Sequence, residues 1–398
     1  FDPDAALLKW PALLRHRGRR LHDRNDRQRE LDEEVGAGHR HAASIVEMLR
    51  AALIAGCMLL PVGAAAQEVD YSVDATATFY GDNTEFFNPF RKGETTIGLH
   101  GFIVGEARTS ERLAIRAGVF ANQRFGSTRP FDEWRPVLSL VIGGPRSQLV
   151  LGTIRTFRRA QGIGPDRSGP HGLLPPLQVE TLSFTRPWEA GMQWIVHTTS
   201  IEHESWVNWQ RIATADQRER FDAGATSRIT VHRAISIGGD FHVVHDGGQL
   251  TDVGAVGESV AGAIGGEVGG PSGPLDRLSL EAYLLGSRYV PDRADPHATR
   301  AGFATFLRVS AEKERWRVHV IAYRGDDFIT REGDRNYLSI RLDGTGYRAL
   351  RDYAEIGATK VMPLAKDSWI EASLRGHRIE RRYQYSFRIV AVAKLRVD

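Results

Sequence analysis

The chain has 398 residues, of which 41% are hydrophobic and 25% charged, and a formal net charge of +3. That near-neutral balance leaves no electrostatic footprint for nucleic acid, and a single cysteine rules out a disulfide framework. Beyond residue 66 no apolar run approaches the roughly 20 residues that a spanning helix needs.

In chain order, Phe1–Glu47 is dense in charge, with runs such as RHRGRR and DRNDRQRELDEE, and shows no sustained apolar face. Such a segment buries too little surface to offset its ordering entropy. It reads as an upstream or disordered segment outside the working protein. Met48–Ala66 has a basic start, an apolar middle broken by Pro61, and small residues at Ala64 and Ala66. This is the layout of a cleaved secretory signal. Cys57 follows Ile54-Ala55-Gly56, a lipoprotein-like pattern, but Met-Leu-Leu-Pro-Val comes after it where a polar tether is expected. Cleavage after Ala66 leaves 67–398 as the mature, cysteine-free domain.

That domain alternates. In Asp70–Tyr80 the apolar set Tyr71, Val73, Ala75, Ala77 and Phe79 opposes Asp70, Ser72, Asp74, Thr76 and Thr78. The same period of two, the mark of a strand with one apolar face, recurs in Leu113–Asn122, Ala223–His232, Arg315–Tyr323 and Tyr385–Val397. The strands are long for a soluble sandwich and suit a tilted membrane-crossing strand. Short connections at Thr109–Glu111, Gly143–Pro145, Ser200–Glu202, Arg233, Gly269–Pro274, Ala311–Lys313 and Leu364–Asp367 alternate with longer ones. The longer set includes Gly81–Lys92, Gln123–Asp132, Phe157–Glu180, Val290–His297 and Gly325–Leu350. Short turns on one side and long loops on the other are the habit of bacterial barrels.

The fold class expected is therefore all-β: a transmembrane antiparallel up-and-down β-barrel of about 16 strands. That count takes Thr181–Thr199 as one long strand. Eighteen is the alternative, with Pro187–Gly191 as a turn and Asn336–Arg341 as a strand. On this pattern the chain resembles bacterial outer-membrane porin-type barrels. The resemblance implies an outer-membrane location and a polar interior. Such barrels often end in an aromatic residue, whereas this chain ends Leu395-Arg396-Val397-Asp398.

The polar faces nominate Arg116, Arg228, His232, Glu281, Arg308, Arg315, Arg317, His319, Glu371, Arg375 and Arg388 as lumen-lining residues. An Arg excess either favours anions or is paired into the wall, and both readings stay open. Phe157–Glu180, rich in Gly and Pro, is a candidate constriction loop carrying Arg158, Arg159, Asp166, Arg167 and His171. It either folds inward or rests on the rim. The sequence has no Gly-x-Ser-x-Gly elbow, no His-Glu-x-x-His and no cysteine pair. The function expected is passive diffusion of small polar or anionic solutes, not catalysis. The alternatives are a barrel enzyme acting on lipid or lipopolysaccharide, or a surface-polymer export barrel. Expected partners are outer-membrane lipids and lipopolysaccharide, small polar solutes and the barrel-insertion machinery. No cofactor, metal or nucleic acid is expected, and homo-oligomers stay open.

Overall fold

Alternation dictates the architecture, because a sheet that is apolar on one face and polar on the other can satisfy both in a membrane only by closing on itself. In the computed structural model it does so. The structure describes residues 69–397 apart from 157–168, 249, 251–252, 342–343 and 345. The expected upstream segment and signal, with Arg158, Arg159, Asp166 and Arg167, lie outside the described residues.

The strands are β1 (Asp70–Phe87), β2 (Lys92–Ser110), β3 (Leu113–Arg124), β4 (Glu133–Gly144), β5 (Ser147–Arg155), β6 (Trp188–His197), β7 (Ile201–Arg211) and β8 (Glu219–His232). They continue with β9 (Ile235–Gly247), β10 (Gly257–Ser272), β11 (Leu275–Val290), β12 (Arg300–Lys313), β13 (Trp316–Asp326), β14 (Leu350–Ala365), β15 (Ser368–Ile379) and β16 (Arg382–Val397). Each pairs antiparallel with its sequence neighbours, and β1 pairs with β16 to close a barrel of 16 strands. Apolar side chains such as Ile103, Leu138, Ile264, Leu284, Phe303 and Leu374 stand exposed on the outer face, where lipid would cover them. The polar row faces in: Asp82, Asp222, Glu281, Arg308, His319 and Glu355 are buried.

The connections after even-numbered strands are short, and β1 begins and β16 finishes at that short-turn end. At the opposite, long end, two connections turn into the barrel. One runs from β5 to β6 and contains a single turn, Pro170–Gly172, and a short helix, α1 (Leu182–Thr185). The other, 327–349, joins β13 to β14. Leu173, Leu174 and Leu177 of the first and Phe328, Tyr337 and Leu338 of the second are buried in one apolar cluster with Phe86, Phe306, Tyr323 and Tyr353. Burying each such side chain contributes about 1.5–3 kcal/mol. The two segments are also stitched together by backbone. Val179 N–H donates to Glu332 O at 2.7 Å, and Asp334 N–H donates to Pro175 O at 2.9 Å. The Thr330 hydroxyl donates to Pro176 O at 2.8 Å.

Several expectations change. Thr181–Thr199 is not one strand: α1 and the Arg186-Pro187 break precede β6, because Pro187 has no N–H for a ladder and the chain is emerging from the interior. Asn336–Arg341 is not a strand but part of the second inward segment. The connection expected at Gly81–Lys92 is only 88–91, since Asp82, Thr84 and Phe86 continue the inward row of β1. Gly152, at φ +108°, ends the β4–β5 pairing; a Cβ there would lie 2.3 Å from Leu138 O. Above this point β5 leaves the wall and feeds the inward segment.

Candidate functional site

Register assembles the principal cluster, on the inner faces of β14, β15 and β16 near the long end. Glu355 pairs with His377 across β14–β15, and Arg375 pairs with Ser386 across β15–β16. Ser386 thus falls diagonally beside His377, and its Oγ lies 2.8 Å from His377 Nε2. On the other side of the ring, His377 Nδ1 lies 2.7 Å from Tyr353 Oη and 3.5 Å from Glu355 Oε2. Tyr353 also hydrogen-bonds Glu355. His319 Nε2 meets the other Glu355 oxygen at 2.8 Å.

These bonds are mutually consistent for one tautomer. Tyr353 O–H donates to Glu355, and His377 Nδ1–H donates to Tyr353 Oη. His377 Nε2 is then left to accept the Ser386 proton. An imidazole so held is a base next to a hydroxyl, with a carboxylate behind it, which is the logic of an activated nucleophile. Phe86 packs edge-on against His377 at 4.9 Å.

Arg375 and Arg388 stand over this group, and both reach Glu180 Oε2 of the first inward segment at 2.9 Å. Arg388 also pairs with Asp82 at 2.9 Å. Arg91, at the β1–β2 connection, pairs with Asp334 at 2.5 Å. Burial opposes the Arg91 charge, but Asp334 outweighs it and raises its pKa above the ordinary value. The space between these groups is about 30 Å³, room for roughly one water, and is roofed by Pro175, Val179, Glu180 and Tyr337. Its neighbour at the rim, an open pocket of about 610 Å³, shares Thr84 and Phe86 with it and is also lined by Phe87, Pro89, Lys92 and Arg382.

Two further charged clusters hold the inward segments to the wall. Arg186 reaches Glu332 and Glu189 at 2.9 Å and Asp222 at 3.2 Å. Burial opposes the Arg186 charge, yet Glu332, Glu189 and Asp222 raise its pKa above normal. Glu332 is pushed up by burial but is held well below the usual carboxylate range, chiefly by Arg186 and then by His242 and Gln178. Asp222, His242 and Glu332 bring one ligand atom each within 4.8 Å of one another. Arg186 already neutralises both carboxylates, so a divalent cation there would have to displace a guanidinium. His171 lies between Glu204 (2.5 Å) and Glu189 (3.1 Å) and stacks on Trp206 at 3.8 Å. Burial disfavours its charge, but Glu204 and Glu189 overcome that and raise its pKa to about 9.

The residues nominated from sequence separate into groups. Glu281 and Arg308 pair at 3.4 Å, and Arg317 pairs with Glu312 at 3.3 Å, all inside. Arg116 pairs with Glu106 at 2.7 Å, and Arg228 pairs with Glu267. Glu371 is half-buried on β15. His232, at the end of β8, and Arg315, in the turn between β12 and β13, are exposed at the short-turn end. Of the two readings left open for the arginines, pairing with wall carboxylates holds for Arg116, Arg228, Arg308 and Arg317. Of the constriction loop, His171 with the Leu173–Leu177 stretch fills the interior and does not rest on the rim. From sequence, Glu355 and His377 are only polar-face residues of the lumen, and nothing there joins them to Ser386 and Tyr353 as one site. Only their inward parity was visible, since the cross-strand register that joins them is set in three dimensions.

Comparison with known proteins gives two results. A family model described as lipid A 3'-O-deacylase-type matches residues 64–395. That match overturns the expectation of a non-catalytic protein, which rested on the absence of short linear motifs. No curated protein matches. Among solved structures, a loop L8 deletion mutant of OmpT, an outer membrane protein of Vibrio cholerae, is similar at TM-score 0.51 and 9% identity, covering 82% of this chain and 99% of that one. Outer membrane protein opdK from Pseudomonas aeruginosa is similar at 0.48 and 10%, covering 82% and 99%. Acinetobacter baumannii OccAB1 is similar at 0.48 and 9%, covering 83% and 97%. The architecture is that of an outer-membrane porin-type barrel.

Proposed function

The chain belongs to the lipid A 3'-O-deacylase-type family, and from that premise we propose that it cleaves an acyl ester of an outer-membrane glycolipid of the lipid A class, with Ser386 as nucleophile. The observation that carries this reading is the Ser386–His377 hydrogen bond of 2.8 Å, with Glu355 and Tyr353 behind the imidazole. In the proposed sequence His377 Nε2 takes the Ser386 proton as Oγ attacks the ester carbonyl. The oxyanion forms beside the guanidinium groups of Arg375 and Arg388, which stabilise charge developing there. Collapse expels the sugar alcohol, which takes the proton from His377, and water then hydrolyses the acyl-serine by the same route. The site described is closed, with Glu180 on both arginines. Turnover therefore includes displacement of the Glu180 segment, and the open rim pocket that shares Thr84 and Phe86 is the approach.

The test is acyl release from lipid A in membranes bearing the protein, followed by mass spectrometry. Ser386→Ala and His377→Gln should each lose at least a thousandfold in rate while the barrel still folds, as judged by heat-dependent gel mobility. Wild-type rates in Ser386→Ala would sink the reading. Passive solute diffusion, the function expected from sequence, would require both inward segments to leave the barrel axis. In planar bilayers the wild-type protein should show no steady conductance, and a steady open level would restore the diffusion reading.

A further inference from the structure

The end of the barrel away from Ser386 holds a second cavity. It opens among the short turns and is lined by Asp74, Glu106, Arg116, Gln148, His197 and Glu202, with a volume of about 590 Å³. Its floor lies where Trp188, at the start of β6, and Phe102 of β2 meet edge to face at 5.2 Å. Arg155 stands at that floor, its guanidinium 4.5 Å from the Phe102 ring and 5.8 Å from Trp188. Beyond it a crevice of about 40 Å³ continues between Phe184, Trp369, Val390 and Val392.

Arg155 differs from the interior arginines already described. Arg116, Arg186, Arg308, Arg317, Arg375 and Arg388 each have a carboxylate partner. Arg155 has rings on its flank and no carboxylate within 4 Å among the described residues. In the crevice beside it His100 is buried, and its Nδ1 has no hydrogen-bond partner among the described residues. Arg155 thus presents an unpaired guanidinium to a roomy cavity, a group awaiting an acceptor.

We propose that this vestibule is a binding site for a monovalent carboxylate with an apolar body, gripped at its carboxylate by Arg155. The planar fork of Arg matches two carboxylate oxygens. Phe102, Val104, Val150 and Trp188 supply apolar lining beside Arg155 for a hydrocarbon chain or ring. A polyanion fits poorly, because Asp74, Glu106 and Glu202 line the same cavity and balance Arg116, Lys394 and Arg155, leaving no excess of positive charge. The site shares no residue with the ester-cleaving group, so each stands or falls alone.

The experiment is equilibrium dialysis of labelled hexanoate against the full chain in micelles of an uncharged detergent. Saturable one-to-one binding is expected, weakened at least tenfold by Arg155→Gln and less by Arg155→Lys. Hexanol should show only non-saturable partition, and inorganic phosphate should not compete. Unchanged affinity in Arg155→Gln, or competition by phosphate as strong as that of unlabelled hexanoate, overturns the proposal. Should Arg155→Gln fail to form a barrel, Val150→Trp decides. It fills the vestibule from β5 and leaves Arg155 in place, so lost binding supports the site and unchanged binding removes it.

Discussion

His171 shows how much one side chain can carry in a closed interior. Its backbone is in the left-handed region, at φ 54°, where a non-glycine residue persists only if its surroundings hold it. What holds it is an ion sandwich with Glu204 and Glu189 against Trp206. Because the folded-state pKa is raised to about 9, the stabilisation is complete below the ordinary histidine value near 6.5 and is lost as pH rises through about 9. His171→Gln takes the imidazolium from between two buried carboxylates, a change that costs up to about 3–5 kcal/mol. Thermal unfolding of variant and wild type should therefore differ most at pH 6.5 and converge above pH 9. A gap that stays constant across that range would mean that the imidazole is neutral. The sequence displayed His171 as part of a Gly- and Pro-rich loop, but Glu189 and Glu204, which define its role, belong to strands whose inward faces had to be known first.

At the scale of elements, the strands were legible and the inward segments less so. Period-two alternation depends only on one face being apolar, so Leu113–Asn122 and Tyr385–Val397 fall within one residue or a few of β3 and β16. Connection lengths located the turns for the same local reason. Thr181–Thr199 misled because α1 and the start of β6 keep apolar residues at even spacing for a different cause: they pack on Tyr80 and Phe102 inside the barrel. Arg186, between them, is the pin of the first inward segment. Arg186→Met removes the one guanidinium that Glu332, Asp222 and Glu189 share, leaving His242, Arg220 and His171 to balance them, and the segment should then detach. Planar-bilayer recordings of this variant should show conductance steps absent from wild type, and silence in both would place the holding energy in the leucine cluster instead.

For the whole molecule, the inward segments link residues 175–179 to residues 330–334, far apart in sequence. Loop closure over such a separation is unfavourable until intervening strands have paired. Refolding into vesicles should accordingly show two phases. The far-UV β signal comes first, and a later change in Trp fluorescence follows as Trp206 meets His171. A single concerted phase would contradict this order. The Ser386–His377 group and the Arg155 vestibule lie on opposite sides of the joined segments, so the molecule presents one candidate site toward each end. That arrangement was not legible from sequence, because parity assigns a side chain to a face but not to a height.

The two inward segments spring from walls eight strands apart in a ring of 16, and they join by main-chain hydrogen bonds in the middle. Mechanically this is a tie-beam across a tube. An unbraced cylinder under lateral pressure from the bilayer flattens most easily into an ellipse, and a strut along one diameter stiffens that mode. Squeezing is then borne as compression along the beam, through Arg186 and Glu332, before it reaches the strands.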